Sequence, residues 1–129
     1  MTPDEVVSRI PYARMIGIEA RASGEGWITH LTFRDGIVGN RRLPAIHGGV
    51  VGAFLEMAAL VELIHQMGGD RIPKPINFNV NYLRSAGPLD STARAEVVKL
   101  GKRIAHVRVI AWQDDPERPV ATGYGNFLV

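Results

Sequence analysis

From Gly26 onward the side chains alternate, with Trp27, Thr29, Leu31 and Phe33 on one side and Ile28, His30, Thr32 and Arg34 on the other. A period of two is that of a half-buried strand, so a strand is predicted over residues 26–34, closed by the turn pair Asp35-Gly36. The clearest alternation comes later, where Ile76, Phe78, Val80 and Tyr82 interleave with Asn77, Asn79 and Asn81. It predicts a strand with one buried and one polar face. Further strand-like segments fill residues 91–100, 103–113 and 119–129, separated by turn signals at Gly87-Pro88, Gly101-Lys102 and Asp114-Asp115-Pro116. These four are expected to pair as an antiparallel meander. Between the two strand regions, residues 50–67 carry 13 apolar members among 18, enough to predict one long helix that is enclosed rather than lying on a surface. Gly68-Gly69 ends it. A loop with Gly39, Asn40 and Pro44 leads into it through His47-Gly48-Gly49, and a short N-terminal helix to about Ile10 follows from Thr2 as cap, Pro3 at the first helical position and Asp4 and Glu5 in the first turn.

At 129 residues and 46% hydrophobic the chain suits one domain, residues 1–129. The expected class is α+β, with a strongly curved antiparallel sheet around a single apolar helix. The lack of cysteine rules out a disulfide framework, a thiolate metal site and a cysteine nucleophile. Fifteen basic and thirteen acidic residues are scattered along the chain, too balanced for a nucleic-acid groove but compatible with a small anionic ligand. Residues 1–10 lack the apolar run of a signal peptide, and no stretch of about 18 uninterrupted apolar residues occurs. No membrane partner and a cytoplasmic location are therefore expected. His30, His65 and His106 are too dispersed to suggest ligand spacing, so no metal is expected.

On a helical wheel of about 100° per residue, Glu62, His65 and Gln66 form one polar sector. Glu56 lies outside it, among Gly49, Gly52, Ala53, Leu60 and Leu63. A carboxylate on a small, apolar face has room beside it for a ligand, and burial there would raise its pKa unless a donor or cation, such as a paired arginine, compensates. The start of the same helix, His47-Gly48-Gly49, offers unobstructed backbone N–H groups and the positive end of the helix dipole, which suit an oxygen becoming negative. Gly48 and Glu56 are eight residues apart, about 12 Å along one helix axis. One carbonyl cannot easily touch both. If both act on the same carbonyl, the N–H and the carboxylate come from different subunits, with two such helices antiparallel at a dimer interface.

The segments "IHGGVVGAFLEMAAL", "INFNVNYLRSAGPL" and "VATGYGNFLV" resemble the hotdog-fold acyl-CoA thioesterases related to phenylacetate degradation and to hydroxybenzoyl-CoA thioesterase. The specific part is His-Gly-Gly with an acid nine positions after the histidine, here His47 and Glu56. The resemblance implies that the Gly48 N–H polarises the thioester carbonyl while Glu56 acts as nucleophile or as general base for water. It implies a supporting role for His47 in organising the helix start, close substrate approach at Gly49, and a homo-oligomer, a dimer and beyond it a dimer of dimers. Coenzyme A carries phosphates, for which Arg84, Lys102 and Arg103 are the candidate basic residues. No cofactor is implied.

The chain departs from the family pattern at three places. Arg41 stands six residues before the histidine, where an Asn or Gln is common, with Asn40 one position earlier as the substitute; Pro75 replaces a hydroxyl residue, and Leu60 replaces Thr or Ser. Two other readings stay open: a hotdog hydratase or dehydratase acting on acyl thioesters, and a non-catalytic acyl-CoA-binding protein. The first needs a paired acid and base, and the His-Phe-Pro segment of that group is absent.

Overall fold

The computed structural model describes residues 1–24, 26–69 and 71–129. Two short helices open the chain, α1 (Pro3–Ser8) and α2 (Pro11–Ile16), each with proline in its first turn. A reciprocal cap secures α1: the Glu5 N–H donates to the Thr2 hydroxyl and the Thr2 N–H to the Glu5 carboxylate. Gly17, at φ 87°, ends α2 in the left-handed conformation that favours glycine and turns the chain into β1 (Ile18–Ser23). β1 pairs with β2 (Gly26–Leu31) in an antiparallel hairpin. Its inward residues Ile18 and Ala20 are buried and alternate with Glu19 and Arg21. Alanine and charged residues have weak strand preference, which is why neither β1 nor α2 stood out in the sequence.

Residues 35–46, expected as a loop, form a 3-10 turn followed by a small hairpin of β3 (Val38–Asn40) and β4 (Leu43–Ile46). The long helix α3 (Gly48–Met67) follows, then β5 (Lys74–Tyr82), β6 (Ser91–Leu100), β7 (Ile104–Trp112) and β8 (Ala121–Leu128). β6, β7 and β8 pair in succession as expected, but β5 does not join them at β6. The sheet order is β1-β2-β6-β7-β8-β5, because β2 already occupies the free side of β6 and β5 pairs with β8 instead. The fold is the hotdog arrangement, a six-stranded antiparallel sheet wrapped around one helix.

The inner face of the sheet is built from small residues, Ala93, Ala105, Ala111 and Ala121, with Val107, Val109 and Phe127 between them, each no more than 1% exposed. Small side chains let α3 approach closely, and its Phe54, Leu55, Ala59, Leu63 and Ile64 are buried against them. α3 is long and apolar enough to cross a membrane by length and composition, yet most of it is buried inside this core.

β5 departs from expectation in its packing. Its apolar row was read as a buried face, but Ile76 is 53% and Tyr82 58% exposed, and Phe78 and Val80 are only half-buried. β5 is a sheet edge with β8 as its neighbour on one side. It is paired with β8 from Lys74 to Tyr82, and the Phe78 ring lies over bare backbone there: a Cβ on Gly123 would come within 2.6 Å of Phe78 Cζ, and one on Gly125 would meet Phe78 Cδ2 and lie 2.9 Å from the Asn77 carbonyl oxygen. Gly125→Ala is expected to destabilise the chain by about 1–3 kcal/mol in urea unfolding, through overpacking. Adding Phe78→Leu should recover part of that loss; a Gly125→Ala chain as stable as the native one would contradict this packing.

Candidate active site

The start of α3 is organised by two side chains. His47 is the cap residue, and its Nδ1 accepts the Gly49 N–H at 2.9 Å, which places the neutral ring's proton on Nε2. The ring is wedged between glycines: a Cβ on Gly49 would lie 3.0 Å from His47 Nδ1, and one on Gly39 of β3 would lie 3.0 Å from His47 Cδ2. The bare Cα of Gly49 thus accommodates the histidine. The His47 carbonyl accepts from the Val50 N–H at 2.9 Å and the Val51 N–H at 3.1 Å. In a trans peptide the N–H points opposite to the C=O, so the Gly48 N–H of that same peptide points out of the helix start. Gly49, Val50 and Val51 have their donors engaged; among the described residues the Gly48 N–H meets no acceptor, and Gly48 is exposed.

Two glutamates on α3 have opposite environments. Glu62, expected in a polar sector, is 5% exposed, and its carboxylate accepts the Trp27 N–H at 2.9 Å and the Gln66 side-chain amide at 3.1 Å. Beside it, the His65 ring stacks on Trp27 with centroids 4.2 Å apart. That sector is polar because it secures the start of β2. Glu56 is half-buried, and no hydrogen bond or ion pair reaches its carboxylate among the described residues. Burial alone raises its pKa above the ordinary glutamate range. The Glu62 carboxylate is buried with two donors, whereas that of Glu56 is desolvated with none among the described residues.

Gly48 borders a cavity of about 360 Å³ together with Val51, Tyr82, Arg84 and Ser85. Two of the residues named from sequence therefore meet in one chain, Gly48 and Arg84, the latter exposed and donating through Nε to the Pro119 carbonyl oxygen at 3.1 Å. Glu56 does not line this cavity. Lys102 and Arg103 are exposed at the β6–β7 turn, level with Lys74 and Leu128. That is the opposite end of β5 from Tyr82, about 27 Å away over eight residues of strand. Asn40 is exposed in the β3–β4 hairpin, where its Oδ1 accepts the Arg42 N–H at 3.0 Å. Asn77 lies on the outer sheet face and accepts from Asn126 at 2.9 Å. His30 pairs with Asp90, whose carboxyl is held below its usual range first by the Phe33 backbone N–H and then by His30. Among the described residues, no group of three or more potential ligands is placed to hold a metal ion.

The family model for the acyl-CoA thioesterase N-terminal domain matches residues 40–128. The chain belongs to this family. A solved protein from Chromobacterium violaceum is 35% identical to the thioesterase, over 98% of this chain and 88% of that one, with a TM-score of 0.78. A phenylacetic acid degradation-related protein from Ralstonia eutropha is 21% identical over 93% of this chain and 90% of that one, TM-score 0.81. A Bacillus halodurans protein solved with CoA is 23% identical over 92% and 77%, TM-score 0.81. The last two share the fold. Among curated proteins none matches the chain.

One feature of the thioesterase's helix start went unread in the sequence. The Tyr82 hydroxyl donates to the Gly48 carbonyl oxygen at 2.7 Å. Tyr82 stood in the apolar row of β5, so its ring was counted and its hydroxyl was not; only the pairing of that strand beside the helix start reveals the contact.

The two glutamates should respond oppositely to substitution. Glu62→Ala leaves the Trp27 N–H without its acceptor and is expected to cost about 1–3 kcal/mol of stability. For Glu56 the folded chain binds the carboxyl proton more tightly than the unfolded chain does, so ionisation opposes folding. That penalty is full above the raised pKa and vanishes below the ordinary value. Glu56→Gln should therefore stabilise the chain at neutral pH, the gain shrinking to nothing as the pH falls through that window. Unfolding curves at several pH values check both; a Glu56→Gln chain destabilised at neutral pH would mean that the carboxylate has a partner.

Proposed function

We propose that this thioesterase hydrolyses an acyl-CoA or aryl-CoA thioester at a site shared by two copies of the chain, with Glu56 as the catalytic carboxylate. The Gly48 N–H of one protomer polarises the carbonyl as its oxygen becomes negative. Glu56 of the other attacks the carbonyl carbon or takes a proton from the water that does. The carbon–sulfur bond breaks and the CoA thiolate leaves and is protonated; with water as the attacking group the free acid forms directly, and with Glu56 as nucleophile a water then hydrolyses the acyl–Glu56 anhydride, releasing the acid and restoring the carboxylate. The observation that carries this reading is the pair of unmet groups on one helix: an exposed N–H at Gly48 and a half-buried, unpartnered carboxylate at Glu56, separated by about 12 Å along the axis.

The open edge of β5 supports the dimer. A nine-residue edge strand with exposed Ile76 and Tyr82 is a template for another strand, and a second copy across a two-fold axis supplies one. Antiparallel pairing of β5 with its counterpart sets the two α3 helices side by side and reversed, so that each Gly48 faces toward the partner's glutamate. The same reversal carries the partner's Lys102–Arg103 turn to the end where Gly48 and Arg84 lie. The basic residues for the CoA phosphates then come from both subunits, with His47 and Gly49 shaping the helix start and the Asn40 amide available to the substrate. A dimer of dimers and cytoplasmic residence are the assembly and location proposed with this reading. The reading takes one domain from each protomer, residues 1–129, and no cofactor. The Bacillus halodurans neighbour solved with CoA is in line with the substrate class.

Subunit mixing tests the arrangement. Gly48→Pro removes the N–H at a first helical position where proline is well tolerated, and His47 already has the extended backbone (φ −55°, ψ 133°) that suits a residue before proline. Gly48→Pro and Glu56→Gln should each abolish thiol release from acyl-CoAs. Co-refolded in equal amounts, the two should recover about a quarter of native activity, since half the dimers are hybrid and each hybrid holds one intact shared site. No recovery would place both groups in one chain. Interconversion of hydroxyacyl and enoyl thioesters without thiol release would indicate a hydratase instead, and tight acyl-CoA binding with no turnover across short, long and aromatic acyl groups a binding protein.

A further inference from the structure

We propose that Tyr82 is a positioning residue for the oxyanion donor, a role that rests on the function proposed above. The argument starts from flexibility. Two consecutive glycines at a helix start have more backbone freedom than any other pair, yet an oxyanion donor acts only if its direction is set before the reaction. Two successive peptides need holding here. The His47–Gly48 peptide carries the N–H in question, and its carbonyl is tied to Val50 and Val51. The Gly48–Gly49 peptide is gripped at both ends by side chains: its N–H by His47 Nδ1 at 2.9 Å, and its carbonyl oxygen by the Tyr82 hydroxyl at 2.7 Å. With the next peptide fixed, rotation at Gly48 is blocked and its N–H keeps one direction.

The Tyr82 ring has a second effect. It lies in ordinary contact with the place a Gly48 side chain would occupy, 3.6 Å from such a Cβ, and its hydroxyl is 3.3 Å from a Cβ on Gly52. The tyrosine therefore runs along the glycine face of α3 and forms a wall of the cavity beside Gly48. Tyr82 is 58% exposed in the single chain, so its hydroxyl is not needed for the packing of that chain's own core.

Tyr82→Phe keeps the ring and removes only the hydrogen bond. Steady-state hydrolysis of the best acyl-CoA substrate by the native enzyme and by Tyr82→Phe is the test, with amide hydrogen exchange at residues 47–50 as a second readout. The expected result is a fall in kcat of about five- to twentyfold with KM changed less than about twofold, together with faster exchange at Gly49. The pH at which activity is lost on the acid side should not move, since that limb belongs to Glu56. An active native enzyme with Tyr82→Phe at native kcat would overturn the positioning role and leave the thioesterase site intact. A rise in KM alone would overturn it too, showing that Tyr82 only contacts substrate. A native enzyme that releases no thiol from any acyl-CoA would overturn the function and this role with it.

Discussion

An apolar helix of twenty residues must be covered around its whole circumference, and a single sheet edge cannot do this on its own flank. Most of α3 is enclosed by the wrapped sheet and the two N-terminal helices. The flank beside β5 is not: Gly49 is exposed, Gly52, Ala53 and Glu56 are half-buried, and the strand that should shield them is an open edge. Everything distinctive about the site lies on this flank. Small residues there leave space, a carboxylate there is desolvated without being paired, and the helix start there presents one uncommitted donor.

The two glutamates of α3 show how position decides role. Six residues apart, both are helical and both lose water, but Glu62 faces the β1–β2 hairpin, where the Trp27 N–H and the Gln66 amide of its own helix donate to it, whereas Glu56 faces the flank where no donor among the described residues does. Satisfied burial locks one carboxylate into the architecture. Unsatisfied burial raises the other's proton affinity, which is the basis of the catalytic role proposed for Glu56. The capping of α3 follows the same logic at its other end, since His47 and Tyr82 engage groups around Gly48 and leave that single N–H open.

Much of this was legible in the residues. The period-two rows of β2 and β5, the largely apolar stretch of α3 and the glycines after it are strong local signals, and the helical wheel separates Glu56 from Glu62. What local patterning could not show was which strands become neighbours: β5 read as part of a meander because sequence order is the default, while the pairing of β2 with β6 sends it to the far edge. From that one difference follow the exposure of Ile76 and Tyr82 and the contact between Tyr82 and Gly48. The β3–β4 hairpin was hidden for another reason, its strands being only three and four residues long with a proline among them.

The most direct test of the proposed two-chain site is a crystal structure of the Glu56→Gln protein with an uncleaved acyl-CoA. The expected density places the thioester carbonyl oxygen about 3 Å from the Gly48 nitrogen of one protomer, with the carboxamide at position 56 of the other protomer facing the carbonyl carbon. A thioester bound away from every Gly48, or one approached by position 56 of the same chain that supplies the N–H, would contradict the account.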